Sequence, residues 1–131
     1  MDSTEFSRIR RHLGKTQVQL ARLLGLSPKA VQSFEQGWRK IPVHTERQLL
    51  FLLFLKTSPV GKKKLCWVIR KCPLKTRRDC PAWEFKAGDL CWFVNGTICH
   101  GAVQQNWQRK MKLCRQCEVF RTILPPASEY Q

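Results

Sequence analysis

The chain has 131 residues, enough for one ordinary domain or two small ones. A hydrophobic content of 43% excludes wholesale disorder, because it is sufficient to build packed cores. Lysine and arginine number 24 against 9 acidic residues, and the formal net charge of +15 is shared by both halves of the chain. This surplus favours a polyanionic partner such as nucleic acid; the alternative is a basic protein without one.

The termini and apolar runs do not have the pattern of a secreted or membrane protein. The N-terminus is polar and acidic, whereas a secretory signal is basic and then apolar. The longest apolar run, residues 49–55, is far shorter than the roughly 20 residues that span a bilayer. We therefore expect a cytoplasmic protein that makes no membrane contact.

The first half has the apolar periodicity of four short helices, at residues 4–12, 17–24, 28–36 and 43–56. Thr16 and Ser27 are suitable N-caps, and Pro28 stands at a first helical position. Gly25 is expected to end the second helix in a left-handed turn. The apolar run at 49–55 exceeds what a three-helix core needs, so it either completes the core or forms a dimer or interdomain contact.

Two short helices joined by a glycine turn can place one helix in a major groove about 12 Å wide. The residues that indicate this arrangement are Thr16-Gln17, Leu20-Ala21, Gly25-Leu26-Ser27, Val31 and Glu35-Gln36-Gly37. Together they resemble the Cro and cI repressor (XRE-like) type of helix-turn-helix. The resemblance implies a domain that binds double-stranded DNA, with the third helix reading bases and a homodimer contacting two half-sites.

The resemblance also implies a set of DNA-binding residues. Ser27, Pro28, Lys29 and Ser33 face the groove, Gln32 and Gln36 flank them, Gln17 contacts phosphate, and Arg39 and Lys40 suit backbone contacts. Lys29 can donate to guanine and Gln32 to adenine, whereas Pro28 cannot hydrogen-bond a base. Alternatively, Ser27 is a plain N-cap, and Lys29 and Gln32 lie on a solvated face. Trp38 either stacks on the sugar–phosphate edge or packs on the core, and core packing is favoured.

A change of composition separates the two halves. Residues 1–58 form the predicted DNA-binding domain, 59–64 a linker with proline, glycine and three lysines, 65–122 a cysteine-rich module, and 123–131 a tail. Asn95-Gly96, between β-branched and aromatic residues, predicts a tight turn. Residues 104–120 predict a helix with Cys114 and Cys117 one turn apart on one face. The fold class is thus a mainly α domain plus a small α+β module.

The seven cysteines are candidate metal ligands: Cys66, Cys72, Cys80, Cys91, Cys99, Cys114 and Cys117. With the tryptophans that follow the first and fourth of them, their order resembles the bacterial two-CW cysteine-rich domain. An odd number of cysteines beside a DNA-binding domain argues against a disulfide framework. Thiolates suit zinc or an iron–sulfur cluster, and seven exceed the need of one zinc ion, which favours a cluster such as [4Fe–4S]. Metal-free thiol switching stays open.

These features predict a sequence-specific transcriptional regulator whose cysteine-rich module binds an iron–sulfur cluster or zinc and senses redox or metal state. The alternative is a DNA-binding repressor or antitoxin-like protein, in which a purely structural zinc module binds a protein partner. The sequence has no phosphate loop, Ser–His–Asp or paired-carboxylate signature. We therefore expect a protein that is not an enzyme.

Overall fold

The computed structural model describes residues 1–57, 74–75, 80–85, 90–99, 102–117 and 120. Residues 1–57 belong to one compact unit, and the described residues between 58 and 124 belong to a second. The predicted linker at 59–64, the tail at 123–131, Cys66 and Cys72 lie outside the described residues.

The first unit contains four helices: α1 (Ser3–His12), α2 (Gln17–Leu24), α3 (Pro28–Glu35) and α4 (Val43–Thr57). Their bounds agree with the predicted helices to within one residue at each end. Helix α3 packs against α1 and α2, and α4 packs against α2. The four-helix prediction is therefore confirmed.

The starts of α2 and α3 are fixed by side-chain caps. The hydroxyl of Thr16 accepts a hydrogen bond from the backbone N–H of Gln19 at 3.1 Å. The hydroxyl of Ser27 does the same for Ala30 at 3.2 Å, and Pro28 occupies the first helical position. Each cap satisfies an N–H group that has no partner inside its own helix. Both predicted N-caps are confirmed.

A left-handed glycine sets the turn between α2 and α3. Gly25 has a φ of 70°, a conformation that side chains with a Cβ rarely adopt. The backbone N–H of Leu26 then donates to the carbonyl of Ala21 at 2.8 Å, which closes the end of α2. This short turn leads directly from α2 into α3.

Apolar residues from all four helices form the core of the first unit. Its most buried members are Phe6, Ile9, Leu20, Ala21, Val31, Phe34, Leu49, Leu50 and Leu53. Phe6 and Phe34 meet edge to face, with ring centroids 5.8 Å apart. The apolar run at 49–55 mainly completes this core, while Leu55 at its end remains 58% exposed.

The described part of the second unit consists of short elements. They are α5 (Pro81–Glu84), α6 (Cys91–Val94), β1 (Ile98–Cys99), β2 (Ala102–Val103) and α7 (Trp107–Gln116). The two strands are antiparallel, with Ile98 opposite Val103. Trp92 and Ala82 are fully buried, and Trp107 and Phe120 nearly so. In neither unit does a described helix have the length and apolar character needed to cross a membrane.

The tight turn predicted at Asn95-Gly96 is confirmed, but it follows a helix and not a strand. Residues before this turn form helix α6, and Gly96, with a φ of 60°, ends that helix instead of joining two strands. The strands that do pair lie later, as β1 and β2. The physical reason is packing: the helical turn buries the Trp92 ring completely, and tertiary burial overrides the strand propensity of β-branched and aromatic residues.

The helix predicted at 104–120 is shorter than expected. Asn106 caps it by accepting from the backbone N–H of Arg109 at 2.9 Å, so α7 begins at Trp107. Cys117 lies beyond its end in extended backbone, with a φ of −79° and a ψ of 136°. The backbone N–H of Cys117 still donates to the carbonyl of Cys114 at 3.0 Å, so the two cysteines remain one turn apart, and their position on one face stays a prediction.

We expect Phe34→Ala to lower the free energy of unfolding of the first unit by about 3–5 kcal/mol, because it removes a buried ring and leaves a cavity. Denaturant unfolding followed by circular dichroism measures this loss. Val18→Ala is the matched control: Val18 is 44% exposed, so its truncation costs about 0.5 kcal/mol or less. If the native and Phe34→Ala chains had the same free energy of unfolding, the placement of Phe34 in the core would be wrong.

Candidate functional site

Helix α3 has a buried face and an exposed face. Ala30, Val31 and Phe34 are buried in the core of the first unit. The exposed positions of the helix and its C-cap include Pro28, Lys29, Gln32 and Gln36. Spacings of three and four residues place Lys29, Gln32 and Gln36 on one side of the helix. This exposed polar side, with no acidic residue in the first turn, can approach a polyanion.

The two serines of the predicted site use their hydroxyl groups locally. Ser27 accepts from the N–H of Ala30, so its own O–H remains available to donate to a phosphate. Ser33 is half-buried and donates its O–H to the carbonyl of Lys29 at 2.9 Å. Ser33 can therefore only accept from a base. The N-cap interpretation of Ser27 is confirmed, and the groove-facing role of both serines stays a prediction.

The carboxylate of Glu35 links α3 to the two helices before it. It accepts hydrogen bonds from Nε of Arg10 in α1 and from Nε2 of Gln17 in α2. Arg10 also donates to the carbonyl of Lys15 at 2.9 Å. The side chain of Glu35 is 7% exposed, so this pairing lies in a site poor in water. No local sequence pattern indicates these contacts, because Gln17 and Arg10 precede Glu35 by 18 and 25 residues.

This network changes the interpretation of Gln17. The sequence analysis placed Gln17 at a phosphate, whereas in the structure its amide donates to Glu35. An amide group carries two N–H donors, so one remains for a DNA backbone oxygen. The phosphate contact of Gln17 therefore stays a prediction, with the added feature that Glu35 fixes the orientation of the amide.

The segment after α3 presents a basic and aromatic surface. Trp38 is 71% exposed, so the favoured prediction that it packs on the core is wrong. The guanidinium of Arg39 lies 5.6 Å from the ring centroid of Phe34. Gly37, with a φ of 76°, turns the chain at this point. Arg39 and Lys40 are both exposed, as residues that contact the DNA backbone must be.

The second unit contains a buried lysine among cysteines. Lys110 is 1% exposed, and its ammonium group donates a hydrogen bond to the carbonyl of Trp92. It also lies 5.0 Å from the ring centroid of Trp107, and Cys114 on the same helix is near enough to act on it electrostatically. A fully buried lysine is rare in proteins unless it is paired, so this arrangement marks a specific site. No sequence pattern indicated it.

Burial dominates the ionisation of this pair. Loss of hydration lowers the pKa of Lys110, and the neighbouring Cys114, Cys91 and Cys99 act in the opposite direction. Burial likewise raises the pKa of Cys114, and the nearby Lys110 partly offsets the rise. Both groups are thus pushed towards their neutral forms, while their mutual attraction favours the ion pair.

A second polar contact reaches another cysteine. Asn95 is 8% exposed, and its Oδ1 accepts from the backbone N–H of Ala82 at 2.9 Å. The Cys80 sulfur lies 3.5 Å from Nδ2 and 4.0 Å from Oδ1 of the same amide. The amide nitrogen is the nearer atom, so Asn95 presents an N–H donor to this sulfur.

Five cysteines lie within the described residues and none of them forms a disulfide: Cys80, Cys91, Cys99, Cys114 and Cys117. No group of three His, Cys, Asp or Glu side chains in this described part is arranged to hold a metal ion. The chemistry of the donor set nevertheless fits a thiolate centre, because sulfurs are soft ligands and the amide of Asn95 presents an N–H group to one of them. Metal binding by the seven cysteines stays a prediction.

Comparison with known families identifies the first unit. Residues 7–45 match the helix-turn-helix family, a segment that extends from within α1 to the start of α4. This match confirms the helix-turn-helix part of the resemblance found in the sequence and supports a DNA-binding regulator. It does not extend to the cysteine-rich residues. Comparison with curated proteins and with solved structures gives no match for this chain.

We expect Lys29→Ala to weaken binding to a duplex selected by the native chain from a random-sequence pool by about 1–3 kcal/mol. The physical reason is that Lys29 is exposed at the start of α3 and offers a donor to a base edge. Fluorescence anisotropy measures the affinity. Lys56→Ala removes the same charge from the last turn of α4 and is expected to have little effect. An equal loss in both variants would contradict base contact by Lys29.

Proposed function

We propose that this chain is a sequence-specific transcriptional regulator that inserts α3 into the major groove of double-stranded DNA. The observation that carries the proposal is the exposed side of α3, formed by Lys29, Gln32 and Gln36 on a helix braced through Glu35. The major groove is wide enough to admit one helix, and the outward polar groups of that helix can then reach the base edges. We propose a binding protein in the cytoplasm and not an enzyme.

The exposed groups suggest a division of roles. Lys29 would donate to guanine, and the amides of Gln32 and Gln36 would pair with adenine. Pro28 offers only an apolar surface, which suits contact with a thymine methyl group. Contacts to the DNA backbone, which carry no sequence information by themselves, would come from a different set of residues: Gln17, Ser27, Arg39 and Lys40.

We propose that the second unit is a metal- or redox-sensing module that holds an iron–sulfur cluster or zinc through some of the seven cysteines. Zinc would supply a structural cross-link, and a cluster would supply redox sensitivity. Support comes from the absence of disulfides among the five described cysteines and from the amide N–H of Asn95 beside the Cys80 sulfur. The regulator would then change its DNA affinity with the state of the module.

A specific observation favours the alternative, in which the second unit is a structural zinc module of a repressor or antitoxin-like protein. Phe85 and Val103 are 66% and 74% exposed, and Leu113 is 43% exposed. Exposed apolar side chains of this size are typical of a protein-binding surface when they are grouped. In this alternative the second unit binds a protein partner, and the state of its thiols does not affect DNA binding.

Metal analysis and spectroscopy of the anaerobically purified chain separate these proposals. For the sensor, we expect a bound metal and a change of about 5–150-fold in affinity for the selected duplex after chelation or oxidation. A structural zinc module predicts zinc without a visible chromophore and a DNA affinity that does not respond to oxidation. A chain that binds neither metal nor selected DNA would contradict both.

We also propose a homodimer, because regulators of this type bind two half-sites one helical turn apart. The first unit has a groove of about 330 Å³, which is lined by four leucines, Leu13, Leu23, Leu52 and Leu55, and by Lys15 and Lys56. Leu55 is 58% exposed there, and a second copy would cover it.

We expect Leu55→Lys to shift the chain towards the monomer, because an ammonium group beside Lys15 and Lys56 loses hydration and meets like charge in the groove. Analytical ultracentrifugation measures the association constant. His44→Lys places the same group on an exposed position in the first turn of α4 and serves as the control. A native chain that is monomeric both alone and on DNA would contradict the homodimer.

A further inference from the structure

We propose that the outward side of α7 is a second DNA-binding surface, which contacts the phosphate backbone of a duplex whatever its sequence. We call this surface the basic face of α7, and it consists of Gln108, Arg109, Lys112, Arg115 and Gln116. The inference goes beyond the proposed function, which assigns the DNA contacts to the first unit alone. It rests on that function only in the choice of DNA as the polyanion.

Packing of the opposite side of α7 fixes the direction of the basic face. Trp107 and Met111 on that opposite side are each 4% exposed. With 3.6 residues per turn, the basic face lies on the other half of the helix. Its members other than the half-buried Arg115 are exposed: Gln108, Arg109, Lys112 and Gln116. The basic side chains therefore project from a helix whose rotation is already set.

The basic face carries like charges at the spacing of helical neighbours. Arg109, Lys112 and Arg115 follow one another at intervals of three residues, so adjacent cations repel each other. The sequence from Ala102 to Cys117 contains no acidic residue that could offset this repulsion within the helix. Such a row is unfavourable for the helix alone, whereas an anion laid along it would be stabilised. The charge pattern therefore fits a polyanionic partner.

The length of the row suits a nucleic-acid backbone. The six residues from Arg109 to Arg115 correspond to about 9 Å along the helix axis, at a rise of about 1.5 Å per residue. Each strand of a duplex carries one phosphate per roughly 3.4 Å of its axis, so more than one phosphate lies within this length. The amides of Gln108 and Gln116 add N–H donors, and glutamine contacts phosphate oxygens as arginine and lysine do.

Arg115 is held at the edge of the basic face by an aromatic ring. Its guanidinium lies 5.9 Å from the ring centroid of Phe120, which is itself 6% exposed. A cation placed over an aromatic ring is attracted to it and loses part of its freedom to move. One charge of the row is therefore positioned before any partner binds.

Two arguments favour duplex DNA over an anionic lipid surface. A helix that lies on a membrane turns an apolar face into the lipid. The apolar side of α7, with Trp107 and Met111, is instead buried within its own unit. In addition, α3 and α7 belong to one chain, so a duplex bound by α3 has a raised effective concentration near the second unit.

The test measures how the affinity of the full-length chain for a duplex of scrambled sequence depends on salt, by fluorescence anisotropy. We expect Arg109→Gln/Lys112→Gln to weaken binding and to make the slope of log K against log[salt] less steep by about 2, because two phosphate contacts are lost. Glutamine has a helix propensity close to that of the residues it replaces. Circular dichroism checks that the variant keeps its helical content.

Lys75→Gln is the matched control, because it removes one positive charge from an exposed position of the second unit outside α7. We expect it to keep the native slope, whereas Lys112→Gln makes the slope less steep by about 1. Lys112→Arg keeps the cation and is expected to keep the slope. Equal changes in Lys75→Gln and Lys112→Gln would overturn the inference, because net charge alone would then explain them.

The duplex selected by the native chain separates this inference from the proposed function. We expect the double variant to bind the selected and scrambled duplexes more weakly by the same factor, since backbone contacts carry no sequence information. If the native chain binds both duplexes equally and the double variant flattens the slope, sequence-specific regulation is wrong and the inference is supported. A double variant with native affinity and slope on both duplexes would overturn the inference alone. Binding of phosphatidylserine vesicles without binding of either duplex would overturn both.

Discussion

The hydrogen bonds to the carboxylate of Glu35 determine how the first unit can work. This one side chain, at the end of α3, accepts from Arg10 in α1 and from Gln17 in α2. The site is largely closed to water, so the charged pair interacts more strongly than it would on the surface, and each donor has its acceptor. Apolar packing alone would hold α3 against its neighbours, whereas these directional bonds also fix its rotation.

The rotation of α3 decides which groups remain for a partner. Phe34 faces the core beside Phe6, so Lys29, Gln32 and Gln36 face outward. Some polar groups of the predicted interface are already used: Ser33 donates within α3, and Gln17 donates to Glu35. Recognition by this helix therefore depends on few side chains. The net charge of +15 can supply much of the affinity through the release of counterions, independently of sequence.

The second unit is organised around polar contacts to sulfur as well as around apolar burial. Trp92 and Trp107 are buried, yet the ammonium group of Lys110 lies beside them and within reach of several thiols. Burial works against charge on both Lys110 and Cys114. The ionisation of both groups therefore depends on the charge of the sulfurs around them.

The sequence by itself determined the features that depend on neighbours along the chain. The caps at Thr16 and Ser27 and the left-handed turn at Gly25 were predictable, because hydrogen bonds between residues three to five positions apart define them. Only the tertiary structure decided that Glu35 joins three helices, that Trp38 points outward, and that Lys110 lies among cysteines. These outcomes depend on which distant side chains fill the same space, and local propensity carries no information about that.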